Sequence, residues 1–240
     1  MFILRDGSQV VDSRLGRLKQ FDARSRQHGI FDTPSLDGGI DLRLRPIISR
    51  RWVKTFGQEH LDQGQLGACV GMGMTAALEH EPGIISLGSD FAKRLYFSIQ
   101  QNDEYPGGEY PGADPVAGGT SLLAALQYMK AAGLIKGYVW AFTLEQVLIG
   151  IGYYGVAIFG LSWTRDMLFP ASDGFCRPTG RDMGGHCTAG TCVNIYDKTI
   201  SGPNSWGDGW NPALQGDWKM TWSDIADRLH AGGECAFIRK

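Results

Sequence analysis

The sequence predicts an α+β fold in two lobes, the first mainly helical and the second mainly stranded. Apolar residues recur at helical spacing through residues 69–150, whereas short β-branched and apolar runs dominate residues 155–238. Between two of the helices, residues 101–120 are dense in glycine, proline and acid, as expected of a long surface loop bordering a cleft. With 240 residues, 43% hydrophobic and 20% charged, the chain is globular and long enough to bury a real core.

Residues 1–46 read as an N-terminal arm and 47–240 as the main domain. Phe2, Leu4, Val10 and Val11 flank an Asp6-Gly7 turn, predicting a small hairpin. Residues 14–28 carry Arg14, Arg17, Lys19, Arg24 and Arg26, and read as a surface arm or linker. The sharper reading is a short pro-segment, or a docking arm that makes contacts in a protein assembly. A Pro/Gly/Asp-rich connector at 33–41 leads into an extended Leu42-Arg43-Leu44-Arg45-Pro46. In the helical half, 47–150, a helix starts near Cys69. Phe91, Leu95, Tyr96 and Ile99 define a second over 90–101. A third, 121–132, is capped by Thr120 or Ser121 and stopped at Gly133, and a fourth, 143–150, is capped by Thr143. In the stranded half, 151–240, strands are expected at 155–161, 188–195 (continuing to Tyr196), 219–222 and 235–238, with a helix over 223–230.

The run Leu61-Asp62-Gln63-Gly64-Gln65-Leu66-Gly67-Ala68-Cys69 delivers a single thiol to a helix N-terminus, where partial positive charge favours thiolate. Gln63, six residues upstream, has an uncharged amide suited to a developing oxyanion. A nucleophile of this kind needs a base and a group to orient it. Gly185-His186 opens a predicted strand, and Pro203-Asn204-Ser205-Trp206-Gly207 sets a carboxamide beside an indole. Alone, Cys69 could be packing, His186 a core histidine and Asn204 a turn residue after Pro203. In this order they point to nucleophilic catalysis.

Gln63, Cys69, His186, Asn204 and the Asn-Ser-Trp-Gly run together resemble the papain-like cysteine peptidases. His186 and Asn204 lie 117 and 135 residues beyond Cys69, slightly compact against the roughly 130–150 of the family. The resemblance implies a helical lobe carrying the nucleophile helix, packed against a β-barrel-like lobe with the active site in the cleft between. It further implies hydrolysis of peptide or isopeptide bonds by Cys69 as nucleophile, His186 as base, Asn204 as orienter and Gln63 as oxyanion donor, with Trp206 shielding the Asn–His hydrogen bond. Gly118 and Gly119 resemble the glycine pair lining the family's substrate cleft. Leu66 stands where the family usually has a cysteine, and Val70 where it has an aromatic. The first change removes a disulfide, as in versions seen in bacteria and their phages. No cofactor or metal is implied.

A net charge of −2 argues against electrostatic binding of nucleic acid. The opening Met-Phe-Ile-Leu is cut off by Arg5-Asp6, so no signal peptide is expected, and no run approaches a membrane span. The location is not set by the sequence; from these readings cytoplasm or the inside of a phage particle is expected. Besides Cys69 there are Cys176, Cys187, Cys192 and Cys235, expected as reduced thiols. A metal site on Cys176, His186, Cys187 and Cys192 fits no standard zinc spacing. His28, His60, His80 and His230 read as surface residues. Two other functions use the same residues differently: a non-catalytic assembly protein, such as a phage particle component, that keeps the fold, or an amidase or acyl transferase at the same site.

Overall fold

The computed structural model describes residues 2–4, 7–19, 28–32, 41–54, 60–81, 86–102 and 118–240. Its helical half is built on α1 (Cys69–Glu79), α2 (Gly88–Gln101) and α3 (Leu122–Ala131). Glycines let α1 come close to its neighbours. A Cβ on Gly71 would lie 2.5 Å from the Ala92 carbonyl oxygen of α2, and one on Gly73 would lie 2.6 Å from Cys187 Sγ. The predicted caps hold: Ser121 Oγ accepts from the Ala124 amide at 3.1 Å and Thr143 Oγ1 from that of Gln146 at 3.2 Å. The helix after Thr143, α4 (Leu144–Tyr153), runs beyond the predicted 150, and its Gly150 gives room to Phe237, which packs where a Cβ would be.

The central sheet is antiparallel in the order β6 (Gly137–Ala141), β12 (Glu234–Arg239), β7 (Ala157–Thr164), β8 (Asp182–Gly190). Side chains alternate across it. Ile158, Cys187, Ala189 and Ala236 face the core beneath the helices, while Phe159, Leu161, Trp163 and Phe237 enter a second core. The predicted strand at 188–195 divides at Thr191. Its first part closes β8, and its second, β9 (Cys192–Asn194), joins another four-stranded antiparallel sheet of β11 (Asp217–Thr221), β10 (Thr199–Pro203), β9 and β4 (Arg50–Arg51). The barrel-like lobe is thus two sheets, tied together by Trp218 Nε1 donating to the Ala189 carbonyl at 2.9 Å. Trp222 opens α5 (Trp222–His230) rather than ending a strand, because Thr221 and Asp224 form a capping box.

The expected hairpin is β1 (Phe2–Ile3) against β2 (Gln9–Val10). Residues 42–44 form a 3-10 turn rather than an extended run, since the Asp41 carboxylate accepts from the Arg43 amide. The connector at 33–40, the arm at 20–27 and most of the predicted loop (103–117) lie outside the described residues. The described arm residues at 15–18 are buried, contrary to a surface arm. Arg17–Leu18 forms β3, paired in parallel with β5 (Thr120–Ser121). His60 is half-buried and His80 buried, correcting the surface reading of both, whereas His28 and His230 are exposed. His80 Nδ1 lies 2.7 Å from the Ala76 carbonyl of its own helix.

Candidate active site

Cys69 is the first residue of α1, and His186 stands in the middle of β8. Strand alternation sends Cys187 under α1 and turns the His186 ring toward Trp163 and Trp206, each with its centroid 4.7 Å away. Trp163 carried no sequence signal of a role. Asn204 is fixed opposite His186 through its neighbours. Thr188 Oγ1 donates to the Pro203 carbonyl at 2.9 Å, and the Asn204 amide donates to Gly216 O at 3.2 Å.

His186 Nε2 lies 2.7 Å from Asn204 Oδ1. The carboxamide oxygen can only accept, so Nε2 carries the proton and Nδ1 keeps its lone pair. That Nδ1 is buried and has no hydrogen-bond partner. It is the free base of the site. Cys69 makes no hydrogen bond to it; its sulfur instead takes backbone hydrogen bonds involving Cys187, Gly16 and Val70.

Gln63 is 1% exposed and held from three sides. Its amide N–H donates to Ser205 O at 3.0 Å, and Ser205 Oγ donates to Gln63 Oε1 at 2.6 Å. Nε2 donates to Leu66 O at 2.6 Å and to Arg14 O at 3.0 Å. Ser205, unremarked in the sequence, thereby orients the carboxamide and ties its loop to the one bearing Asn204.

The arm runs across these groups. The Arg14 guanidinium lies 4.1 Å from the centroid of the Trp206 ring. Leu15 is fully buried, close to Gly184, and Gly16 O accepts from the Thr120 amide at 3.0 Å. Gly16 passes so close to Gly67 that a Cβ on it would fall 2.0 Å from Gly67 O. Arg17 forms an ion pair with Glu234. The Gly16 backbone meets the Cys69 sulfur and Arg14 O the Gln63 side chain, and none of Cys69, His186, Asn204 and Gln63 is more than 3% exposed.

Burial decides the protonation of the pair. It pushes the Cys69 thiol up to about 11, outweighing its backbone hydrogen bonds and the Arg17 charge. It pulls His186 down to about 4 against the raising effect of Asn204. Both groups are therefore neutral near pH 7. The thiolate expected from the helix N-terminus is suppressed by desolvation under the arm.

Gly118 abuts the Tyr96 hydroxyl, and Gly119 lies beside the arm at Gly16, but the Gly119 backbone is engaged within the fold. Its amide donates to the Tyr96 hydroxyl at 2.8 Å, and its carbonyl accepts from Gln100 Nε2 at 3.1 Å. Strand pairing with the arm falls one step on, at Thr120 and Ser121. Among the described residues no three His, Cys, Asp or Glu side chains converge as metal ligands, and all five cysteines are unpaired. Nor is any described helix long and apolar enough to cross a membrane.

This is the fold of the papain-like cysteine proteases. The chain resembles xylellain, a cysteine protease from Xylella fastidiosa, with a TM-score of 0.62 at 16% identity, over 97% of this chain and 98% of that one. It also resembles the digestive procathepsin L 3 of Tenebrio molitor larval midgut (TM-score 0.61, 15% identity, 95% of this chain and 77% of that one). A third match is the Carica candamarcensis cysteine protease CMS1MS2 in complex with E-64 (TM-score 0.52, 16% identity, 75% and 92%). No protein-family model and no curated protein sequence matches it.

Proposed function

We propose that this chain is a papain-like cysteine peptidase held in a latent form by its own N-terminal arm. The observation that carries the reading is the His186–Asn204 hydrogen bond, which leaves a lone pair on Nδ1 beside the strand residue whose backbone meets the Cys69 sulfur. Once the arm leaves, water and substrate enter, and the desolvation that keeps both groups neutral is relieved. His186 Nδ1 then takes the Cys69 proton, and the thiolate attacks a substrate carbonyl. The Gln63 amide and the Cys69 backbone N–H receive the oxyanion. In the covered state Gln63 Nε2 already holds a peptide carbonyl, that of Arg14. His186 protonates the leaving amine and then activates water to release the acyl group.

The test is reaction of the full chain with an epoxide thiol inhibitor, together with hydrolysis of a peptide library, for the natural chain and for Cys69→Ala. Labelling at Cys69 and cleavage that vanishes in the variant are expected. A chain whose Cys69 resists labelling even when the arm is loosened would be a non-catalytic bearer of the fold. Cleavage unchanged in Cys69→Ala would remove the proposal. Transfer of the acyl group to an added amine in preference to water would mark a transferase.

A further inference from the structure

Two stretches of chain, Leu61-Asp62-Gln63 and Asn204-Ser205-Trp206, carry the oxyanion donor and the group that orients His186. Asp62 bridges antiparallel to Trp206, and the Gln63 amide donates to Ser205 O at 3.0 Å. Three residues before Gln63 stands His60. Its Nε2 lies 2.9 Å from Asp217 Oδ1 and its Nδ1 2.7 Å from Asp208 Oδ1, while its own amide donates to that Asp208 oxygen at 3.1 Å. An ionised carboxylate only accepts, so both ring nitrogens must carry protons for both contacts to be hydrogen bonds. In this geometry His60 is an imidazolium. Both carboxylates belong to the chain beyond Asn204: Asp208 on the turn after Trp206, and Asp217 at the start of β11. Between them the ring lies against Gly216, where a Cβ would fall 3.0 Å from Nδ1, and Gly216 O accepts from the Asn204 amide at 3.2 Å. One backbone carbonyl thus separates the ring from the residue that orients His186.

We propose that His60 is a positioning residue for the reaction: as an imidazolium between Asp208 and Asp217 it clasps the Gln63 segment to the Asn204 segment, and loss of its proton loosens both. Its effect on turnover rests on the peptidase reading; the clasp itself does not. When the ring loses a proton, one nitrogen turns a lone pair toward a carboxylate oxygen, and attraction becomes repulsion. The Asp208 side opens first, because that side chain is 59% exposed against 25% for Asp217 and water can take it up. Opening frees the turn after Trp206 and slackens Gly216 beneath Asn204. The charges acting on the ring are Asp217 and Asp208, and Lys54 acts in turn on Asp208. The hydrogen bond to Asp217, with that to Asp208 behind it, raises the imidazole against its desolvation, so the proton leaves above the usual histidine value of about 6.5.

The experiment follows peptide hydrolysis against pH in the full chain with Leu15→Ala, which loosens the arm, alone and combined with His60→Gln or Asp217→Asn. Hydrogen exchange at the Gln63 and Asn204 amides is followed in the otherwise natural chain, with and without His60→Gln. Glutamine keeps a donor toward Asp217 at every pH and bears no charge. In the loosened chain kcat should fall about tenfold or more as pH rises through the His60 value, since displacing a positioned group by about 1 Å costs as much as 10²-fold. KM should stay within a few-fold. His60→Gln should abolish this descending limb, and Asp217→Asn should move it to lower pH, because one of the two charges holding the proton is gone. Protection of both amides, corrected for intrinsic exchange, should fall over the same pH range in the natural chain and not in His60→Gln. A limb at the same pH in all three loosened chains, or protection indifferent to His60→Gln, overturns the role of His60 and leaves the peptidase reading standing. Absence of hydrolysis with His60-dependent protection does the reverse. Should His60→Gln not fold, Asp208→Asn at the exposed end takes its place and should likewise move the limb to lower pH.

Discussion

Leu15→Ala is the most direct probe of a latent site, because the residue belongs to the arm and is not one of the proposed catalytic groups. Leu15 is fully buried, packed beside Gly184 in the same core as Trp163 and Trp206. Truncating a buried leucine costs about 2–5 kcal/mol, and the low end applies where the surroundings can collapse, as a peripheral segment can. If the arm opens without unfolding the rest, that cost falls on the closed state alone. A shift of about 2 kcal/mol raises the open fraction about 30-fold, since each 1.4 kcal/mol is a factor of ten. The assay is the rate of Cys69 alkylation at pH 7, followed by peptide mapping. Cys192 is the one cysteine that is not buried, so it should react first and serve as the internal reference. Cys69 alkylation in the variant should rise by roughly the same 30-fold, with the Cys192 rate and the far-UV spectrum unchanged. Equal Cys69 rates in the two proteins would refute the reasoning, since the arm would then not control access. A parallel rise at Cys176, Cys187 and Cys235 would mean global loosening, which equally defeats it.

Gln63→Ala in a loosened background should lower kcat by about 10²–10³ if its carboxamide is one of two oxyanion donors; a change of only a few-fold in steady-state kinetics would locate the hole elsewhere. His60 bridges two carboxylates, with Nε2 2.9 Å from Asp217 Oδ1 and Nδ1 2.7 Å from Asp208 Oδ1. The hydrogen bond to Asp217 raises its pKa despite burial, helped by Asp208. A raised folded pKa gives stability that is fully present below the unfolded value, about 6.5, and lost as pH rises through the folded one. Urea midpoints should therefore fall above about pH 6.5 in the natural chain, and this component should be absent in His60→Gln; identical pH profiles would exclude the clasp. Gly71→Ala should destabilise by about 1–3 kcal/mol through overpacking against the Ala92 carbonyl. Gly137→Ala, with no atom within 4 Å of the added Cβ, is the control, and equal melting temperatures for the two would contradict the packing account.

What the sequence made legible was local. Ser121 and Thr143 cap helices by bonding amides three residues ahead, so their signals lie within a single turn of chain; Thr221 caps α5 in the same way, but its place at the end of a strand hid it. Elements set by distant packing were not legible. The strand β10 reads Thr-Ile-Ser-Gly-Pro, poor in strand formers, and exists because β9 and β11 pair on either side of it. The predicted helix ended at Gly150, and only the Phe237 ring packed against it shows why a glycine stands there inside α4.

The same division runs through the site. Cysteine, glutamine, histidine and asparagine were nameable from motif and order, but their protonation was not, because it depends on what covers them. A thiol at a helix N-terminus gains from partial charge in the first turn, an effect of about 0.3–1 kcal/mol. Full burial works in the opposite direction and carries Cys69 to about 11. What seals it is Leu15, Gly16 and Arg17, and Arg17 is kept there by a carboxylate 217 positions away in the chain. A basic, polar stretch reads as solvated surface as long as its partner is unknown. A buried arginine can be found only by finding its carboxylate. Glu234 occupies an ordinary-looking position at the start of β12, and nothing near it in the chain announces the arginine it holds. It follows that the machinery of the thiol and what covers it are separable, and loosening the arm should leave the His186–Asn204 bond in place.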